Sequence, residues 1–409
     1  MSDKSAPMRI LLIHRYFWPD SPPYASMLRV MGRHFVGRGH EVTVLTAQPS
    51  YTQATSKLRR PAKETLDGMR VLRRPMLPGS KKNWLARIAN VALFQWHVLA
   101  HILFRRSSHY DVVIATTMPP VLVSGTACFA AHIRGAKFLY HCMDLYPEIA
   151  VLSRSWLIGR GPLPWLLGRL DRRTCRKAWR VVVLSEDMRQ ALARRGTAMD
   201  NVRVLNNFAL EAQEQQAVES DLPAQRHDEC RVLFAGNVGQ FQGLEVLIEA
   251  AHRLVGKRQI QFHFLGDGAM RSKLESEAGG LLGKSVHFHG FRPLAEALQF
   301  METADLGVVS LRLGVISFAF PSKTMTYLSS GLPLLAMVEP GSSLAQLVEE
   351  NDLGVSVPQG DSEAMAEAIA DFAVRGRDRK AEHERVRAFA EQEFGSSTVL
   401  ARWDRLLAE

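Results

Sequence analysis

Residues 318–335 read Phe-Ala-Phe-Pro-Ser-Lys-Thr-Met-Thr-Tyr-Leu-Ser-Ser-Gly-Leu-Pro-Leu-Leu, and the fold is decided by how this stretch is read. Pro321 and Ser322 suit the entry to a helix, because proline presets φ and a serine oxygen can satisfy a free backbone N–H there. Lys323 then falls in the first helical turn, beside amides that attract anions. Met325 and Leu328 share a helical face. Ser329, Ser330 and Gly331 end the helix, and residues 332–338 read as a buried strand. A helix start fed by a strand and carrying a lysine is an arrangement for binding phosphate. The plainer alternative is a loop-to-helix junction with a surface lysine.

Working outward, strands and helices alternate on both sides of this stretch. Near the start, residues 8–13 form a buried-type strand, a proline-bearing loop spans 14–25, a helix follows over 27–38, Gly39 suits its end, and 41–46 is the next strand. Further strands are expected at 69–73, 111–115, 137–141, 181–184 and 202–205. Helices are expected at 84–104, 121–133 and 185–195. After a polar segment at 211–228 the pattern restarts. A strand at 231–235 leads into a glycine-bearing loop at 236–242 and a helix at 243–254. Strands at 260–265, 286–289 and 306–310 follow, with helices between them. Two such series with a polar junction predict an α/β chain of two doubly wound domains with a cleft between them.

Composition narrows the function. The chain has 409 residues, of which 46% are apolar, enough for full cores in two or three domains. Residues 1–205 hold 32 Lys and Arg against 12 Asp and Glu, whereas residues 206–409 hold 19 against 29. A basic half suits phosphorylated substrate, anionic lipid or nucleic acid. No zinc finger, RNP aromatic motif or KH loop is present, so no nucleic-acid partner is expected. Cys128, Cys142, Cys175 and Cys230 lie far apart, which argues against a zinc site or a disulfide framework and fits a reducing cytosol. The apolar run at 10–13 is too short for a signal peptide. The helix at 84–104 is long and apolar, but Arg87, Asn90, Gln95, His97 and His101 make a spanning helix a poor reading. It either lies in a membrane interface or is buried against the sheet. Trp156, Trp165 and Trp179, set among arginines and lysines, form a second candidate for contact with an anionic membrane.

The chemistry-bearing residues cluster at strand ends. The strand at 137–141 ends in His141-Cys142-Met143-Asp144-Leu145-Tyr146-Pro147-Glu148, and titratable groups beyond the carboxyl end of a parallel strand lie where open α/β sheets bind ligands. The alternative for Asp144 is an N-cap or Asx turn, and for His141 a core histidine. Gly236-Asn237-Val238-Gly239 does not match GxGxxG, yet it follows a strand and precedes a helix, the context in which backbone amides meet a phosphate. There is no Walker lysine loop, no GxSxG, no HExxH and no metal-ligand spacing.

In order and spacing, these pieces resemble glycosyltransferase family 4. They are Trp18-Pro19; Arg38-Gly39-His40-Glu41-Val42; Met118-Pro119-Pro120; Asp144 through Glu148; Val183-Leu184-Ser185; Ala235 through Gly239 with Gln242-Gly243-Leu244-Glu245; Leu265-Gly266-Asp267-Gly268; and Pro321-Ser322-Lys323 with Tyr327-Leu328 and Gly331-Leu332-Pro333. The match looks closest to the WbuB-like, fucosamine-transferase-like branch that builds bacterial surface polysaccharides. The resemblance implies the GT-B fold, with 1–208 an acceptor domain, 209–385 a donor domain and 386–409 helices returning to the first. It also implies retaining transfer from a nucleotide-diphosphate sugar, a UDP-sugar foremost, to an acceptor expected to be lipid-linked, with no cofactor and no obligatory metal. The protein is then expected in the cytoplasm, peripheral on the inner face of the membrane.

The expected donor contacts are Gly236, Asn237, Gly239, Gln242, Phe291, Arg292, Ser322, Lys323 and Thr326. The expected catalytic group is Asp144, supported by Glu148, with His141 as an outside candidate. Some positions depart from the family. Many members carry two glutamates where Phe318 and Thr326 stand, and an Arg and a Lys where Asn237 and Gln242 stand. Lys323 is the substitute cation this reading relies on. The missing carboxylates also motivate two alternatives, a nucleotide-sugar-binding accessory protein without transferase activity and a nucleotide-sugar epimerase.

Overall fold

The computed structural model describes residues 6–20, 23–50, 58–77, 84–104, 109–152, 161–210, 229–256, 260–374 and 378–409. Two compact units emerge, Met1–Asn206 with Leu400–Glu409, and Asn207–Val399. The polar junction at 211–228, Trp156, Lys81 and Arg105 lie outside the described residues.

The N-terminal unit is built on eight strands: β1 (Arg9–Ile13), β2 (Glu41–Ala47), β3 (Lys63–Leu66), β4 (Met69–Arg74), β5 (Val112–Thr116), β6 (Lys137–His141), β7 (Arg180–Val183) and β8 (Val202–Val204). Their order is β3-β4-β2-β1-β5-β6-β7-β8. All pairs are parallel except β3–β4. That antiparallel hairpin lies among basic residues that include Arg60, Lys63, Arg70 and Arg73. It turns through Asp67 and Gly68, both at positive φ (49° and 77°), which is the Asp-Gly turn chemistry that matches strand twist. The inner strands β1, β2, β5, β6 and β7 are buried on both faces, as parallel strands covered by helices on each side must be. The order reverses between β1 and β5, so the carboxyl ends of those two strands mark the place where such a sheet takes a ligand.

One helical layer of this unit departs from the usual polarity. Helix Trp84–Phe104 packs on Leu122–Ile133, which packs on Leu163–Lys177. In the first of these, the polar stripe turns inward. Asn90 is buried, its side-chain amide donating to the Leu77 carbonyl (3.1 Å) and its oxygen accepting from the Leu77 N–H (2.8 Å). His101 is buried with its Nε2 2.8 Å from the Tyr110 hydroxyl, and His97 Nε2 lies 3.2 Å from the Pro75 carbonyl oxygen. Phe94, Val98 and Ile102 fill the same inner face, while Leu85, Ile88 and Trp96 point outward. One face of this helix is therefore core, as the buried reading expected, and the other is exposed and apolar.

The C-terminal unit holds β9 (Cys230–Ala235), β10 (Ile260–Leu265), β11 (Val286–Gly290), β12 (Leu306–Ser310), β13 (Leu334–Met337) and β14 (Gly354–Val357). They run parallel in the order β11-β10-β9-β12-β13-β14, the dinucleotide-binding strand order, with reversal between β9 and β12. Its core gathers Val232, Phe234, Ile248, Phe262, Phe264, Leu306 and Met337. Each such side chain contributes about 1.5–3 kcal/mol by leaving water.

The helix in the opening stretch spans Lys323–Ser329, with Gly331 at φ 80° after it and the strand shorter than expected. Ser322 does not cap it. Its backbone is already helical and its hydroxyl accepts nothing from the first turn, which instead closes through Thr324 N–H to Pro321 O (3.0 Å). The tail is placed differently from the expected single return over 386–409. Helix Arg379–Phe394 packs against Lys323–Ser329 in the C-terminal unit, with Arg387 Nη2 donating to Ser330 O (3.1 Å). Residues 400–409 belong to the N-terminal unit, where Asp404 pairs with His34 (2.9 Å) and Trp403 is buried.

Candidate functional site

In the C-terminal unit, the switch point between β9 and β12 is organised by Tyr327 and Lys323, one turn apart on the same short helix. The Ala235 N–H at the end of β9 donates to the Tyr327 hydroxyl (2.6 Å), fixing the helix to the strand end. Lys323 Nζ then sits 3.5 Å from the centroid of the buried Phe234 ring. A β-carbon at Gly236 would lie 3.6 Å from that nitrogen, so the lysine stands directly against the glycine loop. Nζ is buried and has no hydrogen-bond partner among the described residues. Among the described residues the Phe234 ring face is what favours its charge. Burial without a carboxylate pulls the ammonium down to about 7. A buried cation-capable group without a counter-ion, at a sheet's switch point, is suited to receive an anion.

The glycine loop does not present the amide cradle expected of it. Gly236 N–H donates to Leu265 O (2.8 Å), Val238 N–H to Asp267 O (3.0 Å), and Gly239 N–H to Gln242 Oε1 (3.1 Å). The first two donors are committed to the end of β10 and the loop after it, and the third to the glycine loop's own Gln242. The loop after β10 comes so close that a β-carbon on Gly266 would collide with the Gly236 carbonyl oxygen, and one on Gly268 with that of Val238. Gln242 is likewise a staple: its carbonyl accepts from the Ser310 hydroxyl, and Arg312 N–H donates to Phe241 O (2.8 Å). Asn237 and Ser322 are exposed beside Lys323's helix and loop, and Thr326 is half-buried. Beyond β11, Phe291 is 80% exposed, whereas Arg292 turns back to His289 O (3.2 Å) and Glu296 (3.4 Å).

One cation at this edge was missed in the sequence. Arg312, two residues past β12, is half-exposed and pairs with Glu245 (2.7 Å). The strand-end rule that singled out Asp144 would have found it.

In the N-terminal unit, the carboxyl ends of β1, β5 and β6 bring together residues the sequence reading did not connect. His14 Nδ1 lies 2.5 Å from Thr116 Oγ1, and Tyr24 Oη lies 2.9 Å from His141 Nδ1. The peptide bonds before Pro19, Pro119 and Pro147, in the loops after these three strands, are cis. His141 is fully buried, its ring edge-on to Trp403 at 5.0 Å, and burial followed by the neighbouring His14 pulls it down to about 3. It is a neutral, fully buried histidine, as the core-histidine alternative expected rather than the catalytic one.

Asp144 differs. It lies half-buried three residues past β6, accepts no hydrogen bond from the described residues, and is pushed up by burial to about 6. The Asx-turn alternative therefore has no hydrogen bond to rest on. Glu148 is already engaged. Arg195 grips both its oxygens and reaches Asp171 Oδ2 (2.7 Å), while Asp171 Oδ1 accepts from the Tyr140 hydroxyl (3.0 Å). Glu148 thus anchors the loop that carries Asp144. Sequence spacing gave no sign of the Arg195 partnership, because the partners lie 47 residues apart.

The comparisons with known proteins agree with this architecture. Residues 24–207 match the model of the glycosyl transferase 4-like domain, and residues 229–373 that of the glycosyl transferases group 1. The chain is 27% identical over 300 residues to the "Probable glycosyltransferase WbjE" of Pseudomonas aeruginosa, covering 71% of this chain and 73% of that one. Among solved structures, it is similar to HepE of Anabaena in complex with UDP and glucose, with a TM-score of 0.70, 17% identity, and 98% and 99% of the two chains covered. It is also similar to WaaG, a glycosyltransferase involved in lipopolysaccharide biosynthesis, with a TM-score of 0.64, 16% identity, and 97% and 99% covered. The two Rossmann-like sheets are those of the GT-B fold.

Proposed function

We propose that this chain, whose N-terminal unit belongs to the glycosyl transferase 4-like domain family and whose C-terminal unit to the group 1 glycosyl transferases, moves a sugar from UDP to a lipid-linked acceptor in bacterial surface-polysaccharide assembly, with retention and without a metal. The observation that carries the reading is Lys323, a buried and unpartnered amine at the β9/β12 switch point. A departing nucleoside diphosphate gains charge as the glycosidic bond breaks, and a cation in a water-poor site stabilises that change. The HepE complex with UDP supports uracil as the base.

In this reading Asp144 is the group nearest the reacting carbon. A carboxylate without hydrogen bonds, with a pKa near 6, is ionised at neutral pH and can interact with developing positive charge or take the proton of an acceptor hydroxyl. Glu148 acts through position, holding the loop by its grip on Arg195. Asn237, Ser322, Thr326 and the exposed Phe291 stand around Lys323's edge of the sheet as donor contacts.

The test is the thermal stability of the pure protein against UDP, GDP, ADP and dTDP. A nucleotide at about 100 times its Kd stabilises by about 2.7 kcal/mol. A selective response to UDP is expected. A response to another base overturns the UDP assignment. No response to any of the four overturns the donor site at Lys323.

A further inference from the structure

The helical layer over β5, β6 and β7 has an outer surface that water does not explain. Helix Trp84–Phe104 is apolar on both faces, with Phe94, Val98 and Ile102 beside Asn90 and His101 in the core and Ile88 and Trp96 exposed. The exposed rings of Trp96 and Phe104 lie 6.4 Å apart, so two large aromatics cluster on the solvent side. Helix Leu122–Ile133 exposes Phe129 and Ile133, one turn apart. Helix Leu163–Lys177 exposes Trp165, with the Arg169 guanidinium 5.7 Å from its ring. The three helices pack side by side. Single exposed apolar side chains are ordinary, but a run of them across three neighbouring helices marks an interaction surface.

Charge identifies the occupant. Across these three helices there is one carboxylate, Asp171, and it is buried and paired with Arg195. Against it stand Arg87, Arg169, Arg172, Arg173, Arg176 and Lys177. A face with aromatic and aliphatic side chains outward, a basic margin and no exposed carboxylate matches an anionic bilayer, where rings sit at headgroup level and guanidinium groups meet lipid phosphates. Among the described residues no helix is long and apolar enough to cross a membrane, so the contact is one of lying on the surface.

Trp179 does not belong to this face. It is held between Lys137 (4.2 Å) and Arg180 (4.9 Å), which corrects its place in the tryptophan set.

We infer that the outer face of helices Trp84–Phe104, Leu122–Ile133 and Leu163–Lys177 docks the N-terminal unit on an anionic lipid bilayer. The inference rests on the lipid-linked acceptor reading, since it places the acceptor's carrier and this unit on the same surface.

The experiment is co-sedimentation of the full chain with phosphatidylcholine vesicles, with and without phosphatidylglycerol. The wild type is expected to pellet with the phosphatidylglycerol vesicles at low salt, and to pellet less at high salt or with phosphatidylcholine alone. Ile88→Asp, Trp96→Asp and Phe129→Asp are each expected to weaken binding on the order of tenfold, because a charge must then enter the interface. Their thermal response to UDP should stay that of the wild type, which shows that the variants fold. Wild type left in the supernatant, or variants that pellet as the wild type does, overturns the inference. So does a dimer in solution that the same substitutions dissolve without any vesicle binding, since a second copy would then cover the face. Transfer to a water-soluble acceptor without vesicle binding leaves the acceptor chemistry standing and removes only the docking face. Vesicle binding without any nucleotide response does the reverse.

Discussion

Lys323 makes nucleotide binding a proton-linked event. In the free protein its amine titrates at about 7, because burial over Phe234 disfavours the charge and no carboxylate restores it. A bound diphosphate would return it toward the ordinary lysine value of about 10.4. At pH 8 roughly nine-tenths of the free protein carries a neutral Lys323, so binding UDP should take up close to one proton. Affinity should fall about fivefold between pH 7 and 8, and nearly tenfold more between 8 and 9. Calorimetry at pH 8 in two buffers of different ionisation enthalpy reads the proton directly.

Lys323→Met should weaken UDP binding by roughly 10- to 100-fold at pH 7, the range for a lost hydrogen bond to a charged group. The same change should stabilise the free protein. A lysine whose folded value lies below its unfolded value costs stability as pH falls from about 10 to 7, and that cost persists below 7. Allowing for solvent around its stem, Lys323→Met should gain about 1–3 kcal/mol at pH 7. Equal enthalpies in the two buffers, together with a flat affinity from pH 7 to 9, would refute the reasoning.

Asp144→Asn should abolish transfer while leaving UDP binding intact, and wild-type turnover should rise with pH through about 6 as the carboxylate forms. Because its folded pKa lies above its unfolded one, Asp144 costs stability as pH rises from about 4 to 6 and at all higher pH, so the asparagine variant should melt higher at pH 7.5 by about 1–2 kcal/mol and show no gain near pH 3. Unchanged turnover in Asp144→Asn removes the residue from the reaction. Arg195→Ala leaves the buried Asp171 without its charge partner and should cost about 3–5 kcal/mol in urea unfolding of the N-terminal unit. A loss under 1 kcal/mol would show that the Glu148–Arg195–Asp171 pairing does not hold the Asp144 loop.

The alternation of strand and helix was legible because parallel strands must be apolar on both faces and their helices must be capped and periodic. That pattern located twelve of the fourteen strands within a few residues, the exceptions being β14 and β3. The latter hid among basic residues such as Arg60 and Lys63, although the Asp67-Gly68 turn was in view. Strand ends were also legible, and they led to Asp144, Gly236 and Lys323. What each side chain does there was not. His141 and Asp144 sit three residues apart, yet one is a core residue between Tyr24 and Trp403 and the other has no hydrogen-bond partner. The difference comes from residues distant in the chain. The same holds for the loop amides at Gly236 and Val238, which are taken by the end of β10 and the loop after it, and for helix Trp84–Phe104, whose hydrophobic pattern could not say which face turns inward.

The departures from the resembled family and the low lysine pKa are one fact seen twice. Where many members would carry a glutamate, Thr326 stands three residues after Lys323, on the same helical face. A carboxylate there would pair with Nζ and keep it charged. Threonine cannot, so the amine yields its proton to burial until an anion arrives. Thr326→Glu should therefore raise the Lys323 pKa, abolish the proton uptake on UDP binding at pH 8, and flatten the affinity profile between pH 7 and 9. At pH 7 the same variant should bind UDP more weakly than the wild type, since the new carboxylate competes with the diphosphate for the same ammonium. If Thr326→Glu still takes up a proton at pH 8, the glutamate does not reach Lys323, and the lysine's lost charge has another cause than the missing carboxylate.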